Sequence, residues 1–217
     1  MQQSYFVVGT DTDVGKTYVA SGLVQYFVQL GLKAIGMKPV ASGCERNQQG
    51  ELFNEDVLAL INASNVKASL DLINPYRFSP GIAPHIAAEQ VGVAIKLDSI
   101  TQAYLQLTTL ADVVIVEGAG GFFVPLNQTQ TLADLALQLN IPIILVVGMR
   151  LGCINHALLT VEAIQARELS LAGWVANQID PNFEMFEENF SSLQQRIAAP
   201  CLSVVRWQGK VSLAIPV

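Results

Sequence analysis

Apolar positions along this chain follow two alternating rhythms. Tyr5-Phe6-Val7-Val8 is a short continuous run ending at Gly9, whereas from Lys16 to Leu30 the apolar residues Val19, Leu23, Tyr26 and Phe27 recur at helical spacing. A second strand is predicted at Lys33 to Lys38, ended by Pro39, which lacks a backbone donor. Asn54 is placed to cap a helix to about Ile61, with Asp56 in its first turn. Residues Asn65 to Gly92 carry three prolines and little periodicity, which predicts a long functional loop with short turns. A helix over Leu97 to Leu110 then precedes the β-branched run from Asp112 to Glu117, a strand covered on both faces. The alternation continues with a helix near Leu132 to Leu139, a strand at Pro142 to Val147, a helix at Ile154 to Arg167 and a strand at Leu171 to Asn177. A helix near Phe186 to Ile197 and the strand Cys201 to Val205 complete it.

Strands alternating with helices predict an α/β fold: a three-layer, mainly parallel sheet with helices on both faces. No repeat or linker interrupts the chain, so residues 1–217 read as one domain. Ligands in such folds bind beyond the C-terminal strand ends. Gly9, Lys38, Glu117, Gly148 and Asn177 all fall at predicted strand ends.

The composition, 51% apolar and 14% charged, suits a packed globule, and a formal charge of -6 leaves no broad basic surface for nucleic acid or anionic lipid. Any anion site is therefore local. The first residues lack the order of a signal peptide, and the apolar stretch from Ile141 to Met149 is too short to cross a bilayer, which makes the cytoplasm the expected location. Cys44, Cys153 and Cys201 are far apart and form no CxxC pair, so neither a zinc site nor a disulfide framework is expected.

The chemistry concentrates in Gly9-Thr10-Asp11-Thr12-Asp13-Val14-Gly15-Lys16-Thr17, which resembles the P-loop signature GxxxxGK(S/T) with one extra residue between its glycines. Loop N–H groups and the following helix terminus can wrap phosphate oxygens, Lys16 adds charge, and the Thr17 hydroxyl can ligate magnesium. Glu117, followed by Gly118-Ala119-Gly120-Gly121, is placed like the acidic residue that closes such a site. On spacing alone, Asp56 serves either the metal or only the start of its helix.

Beyond this loop, the stretches KPVASG (38 to 43), VEGAGG (116 to 121), LGCINHA (151 to 157) and GWVANQ (173 to 178) together resemble the dethiobiotin synthetase family. The resemblance spans the chain to about residue 207. It implies an ATP-dependent cyclo-ligase on a P-loop NTPase-like scaffold, which joins carbon dioxide to 7,8-diaminononanoate to form a cyclic urea. The implied path runs through a carbamate and a carbamic-phosphoric mixed anhydride. The implied catalytic residues are Lys38, Lys16 and Thr12, with Lys38 between carbamate and γ-phosphate. Ser42 and Thr12 would contact the diamine, and either is otherwise an ordinary turn hydroxyl. Thr17, Asp56 and Glu117 would hold Mg2+.

ATP contacts carried over are Asp13, Val14, Gly15, Lys16, Thr17, Tyr18, Asp56, Glu117, Gly118, Ala119, Gly120, Asn177, Gln178 and Arg206, with Asn177 as the adenine reader. Gly152, Cys153 and Asn155 open a predicted helix whose free N–H groups suit a carboxylate. The family uses that loop on substrate from the neighbouring subunit, which implies a homodimer with shared active sites. His156 is read as a packing residue. Three departures stand out. Asp13 replaces a commoner Glu, Arg206 stands before Trp207 where a proline is common, and no tyrosine occurs around Phe183 to Phe190, where Asn189 is the candidate substitute.

Two rival readings share the scaffold. Nucleotide-switched ATPases of the chromosome-partition and division-site kind carry a second lysine five residues before the loop lysine, where this chain has Asp11. Their basic membrane helix also has no counterpart in Val211-Ser212-Leu213-Ala214-Ile215-Pro216-Val217. A related amidoligase would need a glutaminase domain, for which this length leaves no room.

Overall fold

The computed structural model of the protein describes residues 3–47 and 49–211; residues 212–217, most of the tail read above for membrane character, lie outside the described residues, as do Met1 and Gln2. In chain order the elements are β1 (Gln3–Gly9), α1 (Lys16–Gln29), β2 (Ala34–Met37), β3 (Val40–Ala41), β4 (Glu45–Arg46), β5 (Leu52–Phe53) and α2 (Glu55–Ala63). There follow α3 (Leu70–Ile73), β6 (Tyr76–Arg77), α4 (Pro84–Gln90), α5 (Leu97–Leu110), β7 (Val113–Gly121) and α6 (Leu132–Leu139). The last are β8 (Ile143–Met149), α7 (Cys153–Gln165), β9 (Leu171–Gln178), α8 (Phe186–Arg196) and β10 (Cys201–Val205).

Six strands form the central sheet in the order β10-β9-β8-β1-β7-β2, every neighbouring pair parallel. The period of two along each strand sorts its side chains into two cores. Val7 of β1, Ile115 of β7 and Val146 of β8 pack with Val19, Leu23 and Leu60 of α1 and α2. Phe6, Val116 and Leu145, one residue out of phase, pack with α5, α6 and α7 on the opposite face. Continuous β-branched runs are therefore what a doubly covered sheet requires, because neither face meets water.

The segment from Asn65 to Gly92 departs from expectation. It is not one long loop but carries α3, β6 and α4, with Pro84 in the first turn of α4, where a missing N–H costs nothing. These elements are too short to show periodicity. Their order comes from distant partners: β6 pairs in parallel with β3, and the backbones of residues 39–44 and 76–80 exchange hydrogen bonds along their length. Strand β7 likewise runs past Glu117 to Gly121, and a small antiparallel hairpin, β4 with β5, precedes α2. The expected Asn54 cap forms: its side chain accepts from the N–H groups of Asp56 and Val57.

Candidate active site

The loop between β1 and α1 is shaped by one side chain from beneath. Gly15 adopts φ 86 at the head of α1. Asn177, at the end of β9 and only 8% exposed, donates its amide to the Val14 carbonyl at 2.8 Å. A Cβ on Gly15 would lie 2.1 Å from that amide nitrogen, so glycine is required both by the backbone and by the close approach. Val14 is buried against Gly9 and Gly148, and Asp13, also at positive φ, completes the turn. The start of α1 carries no side-chain cap and no acidic residue in its first turn, so its N–H groups are left for an anion.

Lys16 lies folded back over this loop, donating to the Asp11 carbonyl at 2.8 Å. Desolvation by burial lowers its pKa to about 8; Glu117 opposes that effect and Lys38 adds to it. A polyphosphate would restore the full charge, so nucleotide binding should take up a proton wherever the empty loop has lost one. Affinity for ATP should be greatest below about pH 8 and decline from there toward the ordinary lysine value of 10.5. Titration calorimetry at about pH 9 in two buffers of different ionisation enthalpy should register uptake of about one proton. Zero uptake would mean that Lys16 stays cationic in the empty loop.

Facing the loop, four side chains from four elements share protons. Glu117 of β7 is 1% exposed, and its Oε1 accepts from Thr17 Oγ1 at 2.7 Å and from Lys38 Nζ at 2.8 Å. Lys38, just past β2, also donates to Asp56 of α2. Burial alone would lower the Lys38 pKa, but Glu117 and Asp56 outweigh it and hold the amine above its usual value. For Asp56, burial pushes upward, and the charge and hydrogen bond of Lys38, with help from Thr17 and Lys16, keep the carboxyl below the usual range. The result is one cation, Lys38, held between two carboxylates, with the Thr17 hydroxyl as a further donor to Glu117.

Glu117 Oε2 is buried and has no hydrogen-bond partner among the described residues. A bare buried carboxylate oxygen beside a hydroxyl and a second carboxylate is a hard-oxygen donor set, and such a set fits magnesium. The described residues contain no group of three or more His, Cys, Asp or Glu side chains able to hold a metal.

These groups open onto one cleft of about 490 Å³. Residues 12–13 and 15–18 of the loop and α1 line one side, Lys38 and Ser42 another, and Asp56, Glu117, Ala119 and Gly120 the rest. Other predicted contacts lie elsewhere. Gly118 faces packing instead: a Cβ there would strike Leu132 at 2.7 Å. The guanidinium of Arg206 stacks on Phe186 at 3.9 Å and pairs with Glu187, while Gln178 accepts from the N–H of Trp207. Gly152, at φ 93, heads α7, whose first turn has neither a side-chain cap nor an acidic residue. There Cys153 Sγ lies 3.8 Å from Asn189 Oδ1, which brings the candidate substitute for the missing tyrosine onto the same helix end.

Sequence reasoning missed three contributors. Asp11 pairs with Arg150 at 2.6 Å and accepts from the Thr12 N–H at 2.8 Å, tying the phosphate loop to the turn before Gly152. Asn54 donates to the Ser42 carbonyl at 3.3 Å, so the cap of α2 also holds the KPVASG turn. Asn74 donates to the carbonyl of Lys38. The Asn74-Pro75 pair signals only a turn, and no local pattern points it at residue 38.

Known proteins resemble this chain in sequence and in fold. A family model described as an AAA domain matches residues 3–214. The chain is 51% identical over 205 residues to the ATP-dependent dethiobiotin synthetase BioD of Nitrosospira multiformis, covering 94% of this chain and 88% of that protein. It is 53% identical over 203 residues to the protein of the same name from Aromatoleum aromaticum, covering 94% and 90%. Among solved structures, the septum site-determining protein MinD of Pyrococcus horikoshii, complexed with Mg-ADP, superposes with a TM-score of 0.59 at 14% identity, over 95% of this chain and 82% of that one. A ParA family ATPase from Chlorobium tepidum gives 0.57 at 12% identity, over 96% and 86%. At such identities the structural likeness speaks for the P-loop fold alone, whereas the curated relatives match half of all residues across nearly the whole chain. The chain belongs to the ATP-dependent dethiobiotin synthetase family.

Proposed function

We propose that this protein closes the ring of dethiobiotin in biotin biosynthesis, consuming ATP, carbon dioxide and 7,8-diaminononanoate, with residues 1–217 acting as one catalytic domain. The observation that carries the reading is the single cleft in which Lys16, Lys38, Thr17, Asp56 and Glu117 meet Thr12 and Ser42. One amine adds to carbon dioxide, giving a carbamate and a proton. A carbamate oxygen attacks the γ-phosphorus of ATP, and ADP leaves. The second amine then attacks the carbonyl carbon of the mixed anhydride, phosphate departs with the anhydride oxygen, and the amine nitrogen releases a proton.

Each step needs charge held still more than covalent help. Lys16 and the uncapped start of α1 bind the phosphates; Lys38 neutralises the charge that grows between carbamate and γ-phosphate. Thr12 and Ser42 orient the diamine. Thr17, Asp56 and Glu117 would hold magnesium, which supplies further neutralisation at the phosphate oxygens when bound. Asn177 and Gln178 would face the base, with Arg206 nearby, and the start of α7 would take the distant carboxylate.

We assign that carboxylate to substrate bound in the neighbouring subunit of a homodimer. In support, Leu151, 90% exposed, adjoins Gly152, and Phe123 and Leu159 line a mainly apolar cleft with Thr12. Large apolar side chains so exposed beside an active site favour a second copy as their cover. No helix among the described residues is long and apolar enough to cross a membrane, and we place the reaction in the cytoplasm.

The test is ADP release by purified protein with magnesium and ATP, with and without the diamine and bicarbonate. Release should depend on both. Turnover indifferent to the diamine would sink the ligase reading and favour a nucleotide-switched ATPase, which hydrolyses ATP for its own conformational cycle.

A further inference from the structure

Lys38 lies one residue beyond β2 and is followed by Pro39, so its backbone leaves the ladder of the central sheet just where its side chain must be held. Both of its backbone polar groups are nonetheless bonded, and both partners are consecutive residues of a distant segment. The Lys38 N–H donates to the Ile73 carbonyl at 2.9 Å, and the Lys38 carbonyl accepts from the Asn74 side-chain amide at 2.5 Å. The same amide nitrogen donates to the Tyr76 carbonyl at 3.2 Å, and the Asn74 N–H to the Leu70 carbonyl at 2.7 Å.

We infer that Asn74 is a positioning residue for catalysis: it clamps the backbone of Lys38 so that the amine stays between Asp56 and Glu117. The inference rests on the role proposed for Lys38 above. Only a primary amide offers two hydrogens from one nitrogen without charge, and two carbonyls are what it meets. Asn74 is 0% exposed, and among the described residues its Oδ1 has no hydrogen-bond partner. That fixes the amide's orientation, because a flipped amide would set oxygen against two carbonyl oxygens. It also shows that packing alone does not explain the residue: a fully buried side chain with half its polar surface unmatched costs more than an apolar one of the same shape. Its value lies in what the nitrogen holds. Asp56 and Glu117 fix the far end of the lysine, and Asn74 fixes the near end, so loss of the clamp lets Nζ drift while the phosphate loop, on β1 and α1, stays intact.

The experiment compares Asn74→Leu and Asn74→Ala with the parent, reading kcat for ADP release and, separately, Kd for a non-hydrolysable ATP analogue, on whichever variant keeps the parental circular dichroism at the assay temperature. We expect kcat to fall about tenfold with Kd changed less than about twofold, and the fall to vanish in a Lys38→Ala background, because both changes act through one side chain. A kcat within about twofold of the parent, parallel losses in kcat and Kd, or an undiminished fall in the Lys38→Ala background would each overturn the inference. So would failure of both variants to fold, since Asn74 would then serve the fold and not Lys38. A Lys38→Ala protein with parental kcat would remove the role of Lys38 and the inference with it. A damaging Lys38→Ala beside silent Asn74 variants removes the inference alone.

Discussion

Lys38→Ala should lower kcat by about 10²–10³-fold while the Kd for an ATP analogue moves less than about threefold, the signature of an interaction that matters in the transition state. The lysine is 6% exposed, its charged form is favoured by Glu117 and Asp56, and it opens onto the same cleft as Ser42 and Thr12. Nucleotide binding depends instead on the loop from Gly9 to Thr17, which meets Lys38 through the carboxylates of Glu117 and Asp56. Equal losses in kcat and affinity would reassign Lys38 to plain nucleotide binding. The same truncation leaves Glu117 buried with only the Thr17 hydrogen bond, so the melting temperature should fall by an amount corresponding to about 3 kcal/mol. Added magnesium should restore part of that loss, because Glu117 then regains a cationic partner.

Gly15→Ala should weaken ATP binding by about 100-fold or more, near 3 kcal/mol, while leaving the overall secondary structure in place. Two penalties add. A left-handed backbone costs a residue with a Cβ about 1–2 kcal/mol. The new methyl would also sit 2.1 Å from the Asn177 amide nitrogen, which is buried and already bonded to Val14. Either Asn177 withdraws and the Val14 carbonyl loses its donor, or the loop turns its N–H groups away from the phosphate site. Fluorescence titration of a labelled nucleotide checks the affinity. Gly15→Ala combined with Asn177→Gly should recover the steric part of the loss and not the backbone part. A Gly15→Ala protein that binds ATP within about threefold of the parent would rule out the close approach as the reason for glycine.

The contact between Gly15 and Asn177 also marks the boundary between what is local and what is not. The strand Tyr5 to Val8, the glycines, Lys16 and Thr17 declare a phosphate loop within thirteen consecutive residues, because anion binding by a helix start is a property of neighbouring N–H groups. That Asn177 braces this loop joins residues 163 apart in the chain, and no short-range pattern encodes it. Asn177 as a reader of adenine comes from the GWVANQ stretch, whereas Arg206 is carried over at a position where the family commonly has proline. In the structure the Asn177 amide nitrogen bonds the Val14 carbonyl, and the Arg206 guanidinium stacks on Phe186 and pairs with Glu187, contacts that no motif announces.

What the amino-acid sequence determined alone is the alternation of strands and helices, the two-sided burial of the sheet, the Asn54 cap and the phosphate loop. Each follows from side-chain periodicity or from residues within one turn of each other. The family resemblance gave Asp56 a role beyond its helix, and the tertiary structure brought its carboxylate to Lys38, a pairing no spacing announced. The tertiary structure alone ordered residues 65–92, through pairing with residues 39–44, and brought Asn74 to Lys38 and Arg150 to Asp11. The physical reason is the same throughout: a parallel sheet gathers its strand ends at one edge, so groups far apart in the chain become hydrogen-bond partners only after every crossover has packed.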